Sequence, residues 1–270
     1  MSTTCRYEFQ CKLFGFYDCK SHDFYVSQWT TNKLLFLVYR CLFFFYSLAW
    51  IIADVIVNPQ PQYWIFLTNW SEVTVCFYFG LSCLLAVYGY FSNKADLDKE
   101  KGANWACGVV WILFDVSFSV SLVTNVLYWS LLRVGSVDLI NAFNIHSHAI
   151  TFVMLLIDVF IIAYPIRLLH FLYGMCYGLV YTAFTLILHG TGYISAVYEL
   201  INWDKGARIA TAICFVSSFI AIPLVHLLAF GLYHLRCFIA LKSGCQNDQT
   251  NTSDEQESIE MGQTNQGYAV

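Results

Sequence analysis

Between Ala142 and Tyr164 the chain carries an unbroken apolar run that nonetheless contains His146, His148 and Asp158. At about 1.5 Å per residue such a run crosses a hydrocarbon layer of about 30 Å as a helix, the form that satisfies every backbone group within one segment. Ionisable groups are costly in lipid, so they face a bundle interior or a water-filled cavity and mark candidate functional sites. At about 100° per residue, Asn144, His148, Thr151 and Asp158 fall within one arc of about 80°, whereas His146 points to the opposite side. The run therefore has one inward polar stripe, with His148 on it.

The same pattern recurs along the chain. Of 270 residues, 58% are hydrophobic and only 12% charged, well outside the range of soluble domains. The expected fold is all-α, a polytopic bundle of six transmembrane helices over Leu34–Val57, Tyr63–Phe91, Trp105–Leu132, Ala142–Tyr164, Leu168–Leu188 and Ala207–Leu241. Residues 1–33 form an N-terminal segment without a cleavable leader pattern, 34–241 the transmembrane domain, and 242–270 a polar tail expected to be disordered. Lys and Arg favour the side that carries both termini, ten against Arg133, Lys205 and Arg208 on the other, which places both termini in the cytoplasm. The membrane is expected to be the plasma membrane or the endoplasmic reticulum. Membrane lipids are the expected partners, a protein partner would bind the cytoplasmic tail, and no basic tract points to nucleic acid. The eleven cysteines lie singly, without metal-ligand spacing, and no metal or other cofactor is expected. Haem between facing histidines, His148 with His189 or His170 with His226 or His234, is a weaker alternative.

The second span opens YWIFLTNWSEV. Thr68 and His148 lie at matching depth, about 8 to 9 Å below the same non-cytoplasmic face at about 1.5 Å per residue. Asp54, Asn125 and His189 fall near that level, and Thr68, Ser71 and Glu72 share one helix face. A Thr hydroxyl is a poor nucleophile, but a neutral His beside it can take its proton. Asn69 or Asn125 would supply donors to an oxyanion, and Asp54 or Glu72 would orient the imidazole. The competing reading is that the hydroxyl bonds to a carbonyl of its own helix, as Thr does in membrane spans, and that His148 holds helices together.

Phe66-Leu67-Thr68-Asn69-Trp70, the His148 helix with Asp158 ten positions on, Pro165, Arg167 and His170, and Val197-Tyr198 with Asn202-Trp203 resemble the rolling stone family over residues 35 to 240. That family is more distantly similar to the androgen-induced and androgen-dependent membrane proteins, threonine hydrolases of fatty acid esters of hydroxy fatty acids. The resemblance implies a Thr nucleophile at Thr68 and a partner His at His148, in a chain that has Ile145 where the hydrolases carry a further His. It also implies a role in myoblast fusion, which a non-enzymatic membrane protein would fulfil through partners.

Overall fold

The computed structural model describes residues 8–16, 19–59, 61–92, 104–132, 141–194, 196–198 and 200–244. Six helices in it are long and apolar enough to span a membrane: α1 (Lys33–Val57), α2 (Leu67–Phe91), α3 (Trp105–Leu127), α4 (Ala142–Ile161), α5 (Phe171–Gly190) and α6 (Ala207–Lys242). The chain is thus the all-α multi-pass bundle expected from its hydropathy. Asn32, Asn104 and Asn141 open α1, α3 and α4, each side chain accepting from a main-chain N–H of the first turn that the helix itself leaves unpaired. A two-stranded hairpin, β1 (Ala196–Tyr198) against β2 (Ile201–Asn202), lies between α5 and α6. The tail from residue 245 and the basic loop residues Lys94, Lys99, Lys101 and Arg133 lie outside the described residues.

Of the span boundaries that differ from the sequence expectation, two have a local cause in the chain around them. The second helix begins at Leu67 because Tyr63–Ile65 forms a separate 3-10 turn, held against the helix by Asn69 Nδ2 donating to the Tyr63 carbonyl (2.6 Å) and Trp70 Nε1 to that of Trp64 (2.7 Å). The fourth ends at Ile161: Pro165 disfavours helix before it, and Ile162 pairs as an isolated bridge with Ser27. In α6, Pro223 offers no N–H to the preceding turn, and a π-helical turn at Ser217–Ala221 precedes it while the helix continues.

Lipid is as apolar as the side chains, so interhelical packing and hydrogen bonds hold such a bundle. The central helix is α3, whose Trp111, Phe114 and Phe118 pack with Tyr78 and Phe79 of α2 and Leu155 and Val159 of α4. The N-terminal segment closes one end of this core. Phe24 stacks on Tyr164 with centroids 4.3 Å apart, and Glu8 accepts from Arg167 (3.0 Å) and from the Leu168 N–H (3.2 Å). Gly89 is required here, since a Cβ would come within 2.5 Å of the Tyr25 Cβ.

Inside the same half lies a charge cluster. Arg40 of α1, fully enclosed, donates through Nη1 to both Asp158 oxygens (2.9 and 3.0 Å). Tyr39 donates to Oδ1 (2.8 Å), and Tyr78, itself bonded to Tyr164, donates to Oδ2. Removing one member of a buried ion pair leaves an uncompensated charge. Arg40→Met or Asp158→Leu alone is therefore expected to cost about 3–5 kcal/mol, and the double variant to recover most of the loss. Thermal unfolding in detergent measures both, and equal losses in the single and double variants would refute the pairing.

Candidate functional site

The end of the bundle opposite the N-terminal segment holds a cavity of about 80 Å3. The first turn of α2, the last turns of α3, the start of α4, the outer part of α5, the hairpin and the first half of α6 all contribute to its wall. Thr68 and His148 both line it.

Thr68 differs from the other span threonines in what its hydroxyl can reach. Thr74 and Thr124 donate to carbonyls four residues back (2.7 and 2.8 Å), as does Thr182 (2.9 Å). Thr68 is the second residue of α2, where no preceding helical turn supplies that carbonyl. Its hydroxyl lies instead against the phenol of Tyr198, brought over by the hairpin, whose oxygen also accepts the Leu67 N–H (2.9 Å). Burial pushes the Tyr198 phenol above its ordinary range, so it keeps its proton.

His148 sits in a π-helical turn, His146–Ile150, with its ring parallel to that of Tyr128 at a centroid distance of 3.5 Å. Tyr128 itself begins a second π-helical turn, Tyr128–Leu132, and Trp129 Nε1 donates to the His148 carbonyl (2.7 Å). Nδ1 of His148 is buried and accepts or donates no protein hydrogen bond. The third π-helical turn contributes Ser217 and Ser218 to the same wall. Every π-helical turn among the described residues thus borders this cavity, a frequent association of such turns with functional sites.

The supporting polar residues do not gather there. Asp158 lies ten residues beyond His148, about 15 Å along the helix, and is committed to Arg40. Glu72 pairs with His146 rather than His148, Oε1 to Nδ1 at 3.1 Å, because residues two apart on a helix face opposite sides. That second imidazole stacks on Trp50 (4.6 Å, 11°). Asp54 accepts from Asn58 (2.7 Å), Asn69 donates to Tyr63, and His189 faces Asp204 (3.7 Å). Asn125 is buried and Asn144 half-buried, both outside the cavity lining. His170 is bonded to Asp115 (2.7 Å), not to a second histidine, and among the described residues no three His, Cys, Asp or Glu converge to hold a metal ion.

Tyr198, Tyr128 and Tyr177 belong to this site without having been singled out by spacing. The one signal for Tyr198 was its place in the Val197-Tyr198 motif.

Comparison with known proteins gives one consistent result. The family model described as Protein rolling stone matches residues 2–244. Protein rolling stone of Drosophila melanogaster is 30% identical, with 85% of this chain and 88% of the relative aligned. No solved structure matches.

Small residues let α5 and α6 approach closely beside the cavity, which Gly178 lines. A Cβ on Gly178 would lie 2.8 Å from Ser218 Oγ, and one on Gly174 would lie 2.9 Å from Ile222 Cγ2. Gly174→Val and Gly178→Val are each expected to push α5 from α6 and lower stability by about 1–3 kcal/mol in thermal unfolding. Unchanged unfolding would show that the helices are not in close contact there.

Proposed function

The chain belongs to the rolling stone family of multi-pass membrane proteins, and from that premise we propose that it is an intramembrane hydrolase of lipid esters, with Thr68 as nucleophile and His148 as general base. The observation that carries this reading is that these two residues, from different helices, line one apolar cavity. His148 takes the Thr68 proton as Oγ bonds to the ester carbonyl carbon. The C–O bond to the alcohol then breaks, and the alkoxide leaves with the proton from His148. Water, deprotonated by the same imidazole, attacks the acyl carbon, the bond from that carbon to Thr68 Oγ breaks as His148 returns the proton to Oγ, and the fatty acid leaves. The position of Thr68 in the first turn of α2 supports the reading, since the helix dipole favours negative charge there. Tyr198, protonated and against Thr68, positions the nucleophile.

Fatty acid esters of hydroxy fatty acids, which the resemblance implies, are the first substrates to try. Labelling with a lipid-like fluorophosphonate in membranes tests the site itself. Wild type is expected to label, Thr68→Ala to lose the label, and His148→Ala to label about 100-fold to 10,000-fold more slowly. Folded wild type that does not label, or a Thr68→Ala protein that does, would sink the hydrolase reading. A role in fusion through protein partners would then stand in its place.

A further inference from the structure

An ester carbonyl attacked by Thr68 becomes an alkoxide, and in an apolar cavity that charge needs a hydrogen-bond donor about 3 Å away. The two asparagines expected to supply it are engaged elsewhere. Asn69 gives Nδ2 to the Tyr63 carbonyl (2.6 Å), and Asn125 lies outside the lining. The imidazole of His148 is occupied with the Thr68 proton. Tyr198 lines the cavity with both residues, and its phenol oxygen lies against the Thr68 hydroxyl, so its O–H is within reach of a carbonyl that Thr68 attacks. That oxygen is also an acceptor. The Leu67 N–H, at the first position of α2, donates to it at 2.9 Å, and the Thr68 N–H faces it as well. Such first-turn N–H groups have no carbonyl within their own helix to pair with. Donors on a phenol oxygen draw electron density from its O–H and strengthen it as a donor, which passes the positive end of the α2 dipole through Tyr198. At rest the hydroxyl oxygens of Thr68 and Tyr181 lie beside the phenol, and Tyr181 gives its own proton to the Ile65 carbonyl (2.8 Å). A neutral oxygen accepts a hydrogen bond less strongly than an alkoxide does, so the Tyr198 O–H turns to the substrate as charge forms there.

We propose that Tyr198 is a further catalytic residue, the oxyanion donor of the Thr68 site, and that the first turn of α2 acts on the oxyanion through it. As Thr68 Oγ bonds to the ester carbon, the carbonyl π pair moves onto oxygen and the Tyr198 O–H donates to it. When the bond to the alcohol breaks, the pair returns and the hydrogen bond weakens, with no proton passing from Tyr198. This deepens the hydrolase reading and rests on it.

The test compares two substrates on the full chain in lipid nanodiscs, a long-chain p-nitrophenyl ester and its thiono analogue with sulfur in place of the carbonyl oxygen. Sulfur accepts hydrogen bonds weakly, so an oxyanion donor matters less to the second substrate. Tyr198→Phe is expected to lower kcat for the ester about 100-fold to 1,000-fold with KM within about threefold, and kcat for the thiono ester by less than about tenfold. Equal losses on the two substrates would leave Tyr198 a positioning residue and overturn the proposal, as would an ester kcat within about threefold of wild type. Leu67→Pro deletes the N–H that donates to Tyr198, at a first-turn position after extended Phe66 that proline accepts. It is expected to lower ester kcat about threefold to tenfold, more than thiono ester kcat, and an unchanged ester kcat would overturn the action through α2. Should Tyr198→Phe not fold, Leu67→Pro decides on the same two substrates, with equal losses overturning the proposal. Wild type that turns over neither substrate, or Thr68→Ala that keeps ester turnover, sinks the hydrolase reading and this one with it. Turnover lost in Thr68→Ala but kept in Tyr198→Phe sinks the role of Tyr198 alone.

Discussion

A guanidinium and a carboxylate buried between membrane helices must find each other, and the rest of this bundle is arranged around the pair that does so. Arg40 and Asp158 join α1 to α4, and the three tyrosines on Asp158 and its neighbour bring in α2 and the extended segment after α4. Arg236 of α6 takes one open carbonyl from the last turn of α4, that of Val159, and one from this segment, that of Tyr164, each at 2.9 Å. Buried Arg is suited to this work because its planar fork serves several acceptors at once. One half of the molecule is thus cross-braced by charge and hydrogen bonds, with the N-terminal segment packed over its end.

The other half is built differently. There the helices are held by aromatic stacking, close approach at glycine and the Glu72–His146 pair, three π-helical turns interrupt the regular winding, and a cavity opens between them. Among the described residues, the polar side chains facing it are hydroxyls, the Cys214 thiol and one imidazole. Thr68 stands out by position rather than by type. At the first turn of α2 it escapes the carbonyl that occupies Thr74, Thr124 and Thr182, and so keeps a hydroxyl available to chemistry.

Much of this was legible in the sequence because the forces that write it are simple. Hydropathy and the impossibility of unpaired backbone in lipid mark six spans, and the family inferred from FLTNW, His148 and the motifs after Pro165 is the family found. Matching depth brought Thr68 and His148 to one level, and the structure sets them on one cavity. Helical angle alone misled elsewhere. Asp158 shares a face with His148 but lies about 15 Å further along the helix, where Arg40 is the stronger partner. Glu72 was taken by His146 on the far side of α4. Tyr198 arrives from a hairpin too short to show a strand pattern, and π-helical turns have no periodic signature. The aromatic N-terminal segment, broken by Asp23 and Lys20, has no apolar run to announce that Phe24 and Tyr25 belong to the core.

The central claim is that the reactive atom is the Thr68 hydroxyl oxygen, within a cavity that Ser217, Ser218 and Tyr198 also line. Peptide mapping by mass spectrometry of the phosphonylated wild-type protein addresses it most directly, because it names the modified side chain without altering any residue. The account predicts an adduct on Thr68 in the peptide that carries the start of α2. An adduct on Ser217, Ser218 or Tyr198 with Thr68 unmodified would contradict it.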